Sequence, residues 1–82
     1  MKLLVIHIPR LNVDEEESLT RFKGRCEAIY NICVSKACRI VRDDQYSIAR
    51  VIRVRDYGDT YSLIKELKRY GPFFLHIEIG VK

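Results

Sequence analysis

Hydrophobic residues along the chain follow two different periods, and these separate predicted strands from predicted helices. Alternating or continuous apolar runs cover residues 3–8, 37–42, 46–55 and 73–79, and they predict four β-strands. Between these runs the apolar residues recur at steps of three and four, which is typical of amphipathic helices. The two helical sets are Leu19, Phe22, Cys26, Ile29 and Cys33, and then Leu63, Ile64, Leu67 and Tyr70.

Capping residues predict where the first helix starts. Asp14 is expected to be its N-cap, with Glu17 three residues later as in a capping box. The acidic run of residues 14–17 then lies where the helix dipole favours negative charge. The helix is expected to end between Asn31 and Val34.

Turn-forming residues predict the other boundaries. Residues 43–45, Asp-Asp-Gln, are expected to form the turn of an antiparallel hairpin between the second and third strands. Asp59 is expected to cap the second helix, and Gly71 followed by Pro72 is expected to end it.

The resulting order, β-α-β-β-α-β, predicts the fold class. A chain of 82 residues has the length of one domain, so residues 1–82 are expected to form a single unit. With right-handed crossovers, this order predicts an α+β ferredoxin-like sandwich, a four-stranded antiparallel sheet with two helices on one face. Strands one and three are expected to be central, with strand four beside strand one.

Such a fold leaves one face of the sheet without helices. Leu4, Ile6 and Ile8 are expected to point to the helices, which leaves alternate residues of the first and last strands on the other face. Because contiguous apolar patches mark interfaces, this face predicts a homodimer. The predicted interface residues are Leu3, Val5, His7, Phe74 and His76.

The third strand is harder to orient, because it carries arginines in both phases. It adds to the open face either Val51, Arg53 and Arg55 or the opposite set with Arg50. A β-bulge near Arg50 is expected to reconcile the pattern.

The arginines also suggest a ligand. The chain has a net charge of +4 and a pI of about 9.1, which favours polyanionic partners. Side chains on the hairpin are predicted to hold nucleic-acid phosphates. The alternative is that they extend into solvent or pair with Glu78 and the aspartates, and that the charge only maintains solubility. The candidate residues are Arg39, Arg42, Arg50, Arg53 and Arg55.

Two family resemblances imply different functions. The stretch "LLVIHIPRLN" is similar to the first-strand motif of RNA-recognition motifs, which implies bases stacked on exposed aromatic residues. The aromatic third-strand motif of that family is absent from "YSIARVIRVR". The overall topology is similar to ACT and Lrp-type effector domains, which implies a regulatory or assembly domain that dimerises and binds a small ligand or a protein partner.

Catalytic patterns are missing from the sequence. No nucleophile–base set, P-loop or glycine-rich phosphate loop is visible, so the chain is predicted to be non-enzymatic and without a cofactor. Two histidines and a carboxylate, His7, His76 and Glu78, could bind a metal, but their spacing matches no known ligand signature, so no metal site is predicted.

The cysteines and the N-terminus bear on the compartment. Three cysteines without a C-x-x-C pattern favour reduced thiols, with Cys26 and Cys33 on one buried helix face, although a Cys33–Cys38 disulfide stays open. The stretch "MKLLVIHIP" lacks the long apolar core of a signal peptide, and no apolar run reaches the ~18 residues of a membrane span. The sequence therefore predicts a cytoplasmic protein.

Overall fold

The computed structural model describes residues 2–11 and 18–79, which form an α+β arrangement of four strands and two helices. The predicted order, β-α-β-β-α-β, is confirmed. A 3₁₀ turn over Lys68–Tyr70 follows the second helix. The strands are β1 (Lys2–Pro9), β2 (Arg39–Gln45), β3 (Ala49–Arg55) and β4 (Phe74–Ile79), and the helices are α1 (Leu19–Ser35) and α2 (Thr60–Leu67).

The strands form one antiparallel sheet in the order β2-β3-β1-β4. The central position of β1 and β3 and the place of β4 beside β1 agree with the sequence prediction. Because β1 pairs with both β3 and β4, its side chains set the register of the sheet. Ile6 lies opposite Ile52 on one side and Leu75 on the other.

Both helices pack on the same face of the sheet, around one hydrophobic core. Alternate residues of β1 point into it, as predicted, and each is at most 2% exposed. Burial of each such side chain contributes about 1.5–3 kcal/mol. The core comprises Leu4, Ile6 and Ile8 of β1, Ile52 and Val54 of β3, Phe22, Cys26, Ile29 and Cys33 of α1, Leu63 and Leu67 of α2, and Cys38 before β2.

Helix α1 starts later than its acidic run predicted. Its N-cap is Ser18, whose Oγ accepts a hydrogen bond from the backbone N–H of Arg21 at 3.2 Å. The predicted cap Asp14 and its partner Glu17 lie outside the described residues. At the other end the helix continues to Ser35, one residue beyond the predicted limit.

The hairpin between β2 and β3 differs from the prediction in its turn and its bulge. Strand β2 runs through residues 43–45, and the turn follows it, closed by a 2.8 Å hydrogen bond from the N–H of Tyr46 to the carbonyl of Ala49. The bulge lies in β2, where the register shifts between Ile40 and Arg42, and not near Arg50. Because the aspartates of β2 find arginine partners across the sheet, they remain in the strand despite their low β-propensity.

The predicted cap of α2 is confirmed, whereas the helix itself ends at Leu67 and reaches the predicted stop at Gly71 through the 3₁₀ turn. Asp59 caps the helix by accepting a hydrogen bond from the N–H of Tyr61 at 3.1 Å. Gly71 ends the 3₁₀ turn with a φ of +85°. Arg25 of α1 donates to the carbonyls of Tyr70, Pro72 and Pro9, so one guanidinium joins three segments at this end of the sheet.

Two glycine substitutions should have opposite effects on stability. A Cβ at Gly71 would lie 3.1 Å from Cδ of Arg25, in a backbone conformation that favours glycine, so Gly71→Ala is expected to destabilise the fold by about 1–2 kcal/mol. Gly24 lies within α1 with no atom within 4 Å of a built Cβ, so Gly24→Ala should stabilise by about 0.5–1 kcal/mol. Urea unfolding measures both, and a Gly71→Ala variant as stable as the parent would contradict the close approach of Arg25.

Candidate functional site

The face of the sheet that the helices leave bare, the open face, is an ordered array of side chains. Cross-strand register arranges it in rows that run from β4 through β1 and β3 to β2. One row carries apolar and aromatic side chains at its β4 end. Each of the other two rows has an arginine at its β2 end. The rows are Phe74, His7, Val51 and Asp44; His76, Val5, Arg53 and Arg42; and, one position beyond the paired residues of β1 and β3, the pairs Glu78–Leu3 and Arg55–Arg39.

Two carboxylates on the open face share its arginines. Arg53 donates to Asp44 at 3.2 Å and to Glu78 at 3.3 Å, so it spans the sheet from β2 to β4. Arg42 also donates to Asp44, at 3.0 Å, and its side chain is 67% exposed. Because solvent screens an exposed guanidinium, the pair of Arg42 with Asp44 is worth only about 0–1 kcal/mol, whereas the side chains of Arg53 and Asp44 are 26% and 20% exposed and their pair is screened less. Arg42 can therefore exchange its carboxylate for another anion at low cost.

The apolar residues of β1 on this face are buried beside polar neighbours. Val5 is 1% exposed and Leu3 is 7% exposed, although no helix lies over them. Val5 lies directly opposite Arg53 and His76, and the aliphatic part of an arginine side chain covers apolar neighbours while its charged end stays in water. Of the predicted interface residues, only His7, Phe74 and His76 therefore present surface to a partner.

One corner of the open face, the aromatic corner, exposes large apolar side chains. We define it as His7, Phe74, Tyr46 and Ile48. Phe74 is 61% exposed and its ring centroid lies 6.0 Å from that of His7, with the ring planes tilted by 49°. Tyr46 and Ile48, at the hairpin turn, are 59% and 72% exposed and line a groove with His7 and Val51.

Arg39 and Arg55 lie opposite each other at the other end of the face. Like charges in directly opposed positions destabilise an antiparallel pair. Arg39 is exposed, and Nε of Arg55 lies 3.8 Å from the carboxylate of Asp56. An anion held between the two guanidinium groups would relieve their repulsion.

Arg50, a predicted phosphate contact, lies on the opposite face and is buried against α1. Its Nε and Nη2 donate to the two oxygens of Asp43 at 2.8 and 2.7 Å, and its Nη1 donates to Glu27 at 2.6 Å. Its guanidinium also lies 5.2 Å from the ring centre of Tyr30. The hydrogen bonds to Asp43 raise the pKa of Arg50 above its ordinary value, while burial opposes them. With its donors engaged and 6% exposure, Arg50 is not a candidate ligand contact.

The pairing of these arginines with Glu78 and the aspartates agrees with the alternative that the sequence left open, whereas Glu27 and half of the aromatic corner were missed. Tyr46 and Ile48 were assigned to the third strand, so their exposure at a turn was not foreseen. Asp43 and Asp44 were assigned to the turn, so their places on opposite faces were missed. The signal was present in the phase of Arg50, which shares a face with Ile52 and therefore needs a nearby carboxylate.

The three cysteines are free thiols and all are buried. Burial is the main reason that the pKa of Cys33 rises from 9.0 to about 12, and the adjacent Cys38 adds to the effect. Burial also raises the pKa of Cys38. Because thiolates are the reactive form, these groups are poor nucleophiles at neutral pH. In this structure Cys33 and Cys38 are not joined by a disulfide.

Comparison with known proteins finds no family model that matches the chain and no curated protein that matches it. Within residues 2–11 and 18–79, no three His, Cys, Asp or Glu side chains are grouped so that they would hold a metal ion. In that same part of the chain, none of the helices has the length and apolar character needed to cross a membrane.

Removal of Arg50 should cost far more stability than removal of an open-face arginine. Arg50→Ala leaves the half-buried Asp43 without its partner and is expected to destabilise the fold by about 3 kcal/mol. Arg42→Ala removes an exposed pair and should cost less than about 0.5 kcal/mol. Urea unfolding of both variants tests the difference, and equal losses would contradict the burial of Arg50.

Cys33 should make the protein less stable in alkali. Its folded pKa lies above the ordinary value of 9.0, so its contribution is fully present below pH 9 and is lost as pH rises towards 12. The unfolded chain then binds fewer protons than the folded one, and the loss approaches about 1.4 kcal/mol per pH unit. The free energy of unfolding should fall more steeply above pH 9 for the parent than for Cys33→Ala, because only the parent carries this thiol. Parallel curves in urea titrations would refute the effect.

Proposed function

We propose that this chain is a small, non-enzymatic, cytoplasmic module that binds single-stranded nucleic acid on its open face. The order of its elements and its two central strands support the ferredoxin-like sandwich as its scaffold. One observation carries the proposal: an exposed phenylalanine, with a histidine ring 6.0 Å away, shares the face with four arginines.

The charge of the open face supports a polyanionic ligand. Four arginines face Asp44 and Glu78 there, and Asp56 lies 3.8 Å from Arg55, so the face keeps an excess of positive charge after these ion pairs form. Arg39 and Arg42 lie on the edge strand β2 and are exposed, so an incoming phosphate reaches them without rearrangement of the core. Contacts of this kind position a nucleic acid without reading its sequence.

The aromatic corner supports a ligand with unstacked bases. Phe74 offers a ring face to solvent, and stacking of a base on such a ring contributes about 1–3 kcal/mol. Three inter-strand spacings, roughly 14 Å in all, separate this ring from the arginines of β2, so a bound strand would cross the sheet with bases over β4 and phosphates over β2. Bases inside a duplex cannot reach Phe74 in this way, which favours a single strand.

The composition of the open face argues for weak sequence preference. Its rows contain no asparagine or glutamine, the side chains that pair with adenine edges. Arg42 and Arg53 already donate hydrogen bonds to Asp44 and Glu78, so we expect them to exchange these carboxylates for another anion. We therefore expect similar affinity for different single-stranded sequences.

A regulatory domain with a small ligand is the second candidate, and a groove favours it. A cavity of about 420 Å³ lies between the start of α1 and the hairpin turn, lined by residues that include Phe22, Lys23, Glu27 and Tyr46. Its mixture of apolar and charged walls suits a small amphipathic molecule. Thermal stabilisation by a small-molecule panel, without any response to oligonucleotides, would favour this candidate.

Fluorescence anisotropy with labelled single-stranded oligonucleotides tests nucleic-acid binding. Arg39→Ala with Arg42→Ala should weaken binding about tenfold and reduce the dependence of log affinity on log salt by about two, because two phosphate contacts are lost. Lys68→Ala with Arg69→Ala removes the same charge from exposed residues after α2 and is the matched control. Equal losses of affinity in the two double variants would show that the oligonucleotide is attracted by the net charge of the protein alone.

The aromatic part has its own test. Phe74→Ala should weaken binding by about five- to tenfold with an unchanged salt dependence, because stacking is lost while phosphate contacts stay. Tyr61→Ala, at a residue of α2 that is 76% exposed, should have no effect. No binding of the parent at about 10 μM protein and low salt would remove the proposal.

A further inference from the structure

The two edges of the sheet differ in how they resist pairing with another strand. Of the seven residues of β2, four are charged, and a bulge interrupts its register between Ile40 and Arg42. Charges and bulges are the usual devices that prevent edge-to-edge association. Strand β4, with the sequence FLHIEI, has one acidic residue, no proline, no lysine and no register shift against β1. Its outer edge pairs with no other described strand.

The helix side of β4 carries exposed apolar residues at this edge. Ile77 is 48% exposed and Ile79 is 68% exposed, although Ile77 lies directly opposite Leu4, which is 2% exposed. The hydrophobic core therefore does not extend to these two residues of β4. The buried residues of α2 are Leu63 and Leu67, so the helix contributes to the core without covering these two isoleucines.

We propose that β4 pairs with β4 of a second copy of this chain, antiparallel and about a two-fold axis at Ile77. Such a pairing extends the sheet to eight strands and keeps the helices of both copies on one side. On the helix side it places Ile77 opposite its own copy and Leu75 opposite Ile79. On the open face it places His76 of each copy opposite Glu78 of the other.

Charge complementarity selects this register over its neighbours. An axis at Glu78 would put two carboxylates opposite each other, which destabilises an antiparallel pair. An axis at His76 would put Phe74 opposite Glu78 and bring the two histidines together. The axis at Ile77 gives two histidine–carboxylate pairs and an uninterrupted apolar row, so it is the register in which both faces of β4 match their copy.

The pairing is expected to be reversible. Six residues of strand on each side supply main-chain hydrogen bonds, and the apolar contact is limited to a few side chains. Such an interface lies at the small end of specific interfaces, so we expect a dissociation constant on the order of 10 μM. The inference does not rest on nucleic-acid binding, since it is argued from the outer edge of β4 and requires neither Phe74 nor the arginines of β2.

Sedimentation velocity over a wide concentration range tests the dimer, with substitutions at exposed residues that should leave the monomer folded. His76→Glu places a carboxylate opposite Glu78 of the copy and should raise the dissociation constant at least tenfold. His76→Lys provides the opposite charge and should lower it or leave it unchanged. Ile79→Lys should also raise it at least tenfold, whereas Ile48→Lys, at a hairpin residue that is 72% exposed, is the matched control.

Hydrogen exchange locates the contact in the same samples. The amides of β4 should become more protected as the protein concentration rises, while those of β2 should not change. A parent that stays monomeric at several hundred micromolar, far above the expected constant, would overturn the proposal. A dimer that Ile48→Lys disrupts while His76→Glu leaves it intact would also overturn it, because that contact would lie at the aromatic corner.

Discussion

The buried arginine Arg50 is the constraint on which the arrangement of the sheet depends. A guanidinium that is 6% exposed needs carboxylates close by, and it finds Asp43 on β2 and Glu27 on α1. Loss of these partners would leave a buried charge uncompensated, which is far more costly than the loss of an exposed pair. A slip of β3 by one residue would turn Arg53 towards the helices and away from Asp44 and Glu78. One ion-pair cluster thus joins the hairpin to α1 and decides which arginines reach the open face.

The two adjacent aspartates of β2 neutralise arginines on opposite faces of the sheet. Asp43 points to the helix side and neutralises Arg50, while Asp44 points to the open face and is shared by Arg42 and Arg53. Their effects differ because their surroundings differ. The side chain of Arg50 is 7% exposed, so its pair with Asp43 is shielded from water and stabilises the fold, whereas Arg42 is 67% exposed and its pair with Asp44 contributes little. The same residue type therefore holds the structure on one side and leaves arginines available for a ligand on the other.

The sequence predicted what local patterns determine and missed what distant contacts determine. The order of elements followed from periodicity, and the inward phase of β1 from its one fully apolar set, Leu4, Ile6 and Ile8, since the other phase contains His7. The turn was misplaced because Asp43 and Asp44 have low strand propensity, and only their arginine partners keep them in β2. Arg50 was grouped with the ligand contacts because Glu27 is 23 residues away in sequence. The burial of Val5 beside Arg53 likewise depends on register, which no single strand specifies.

The distribution of charge across the sheet separates the two proposed surfaces. Charged residues and a bulge mark β2, while β4 is apolar on its helix side and carries one matched histidine and glutamate on the other. The charges and the bulge of β2 oppose pairing with another strand, while its arginines attract phosphate. Strand β4 favours pairing with another strand, since its outer edge offers main-chain hydrogen bonds beside exposed isoleucines. Pairing at β4 would keep both open faces on the same side of one sheet, with the arginines of β2 at its outer ends. Self-association would then lengthen the surface for a nucleic acid without covering any of the arginines that would hold it.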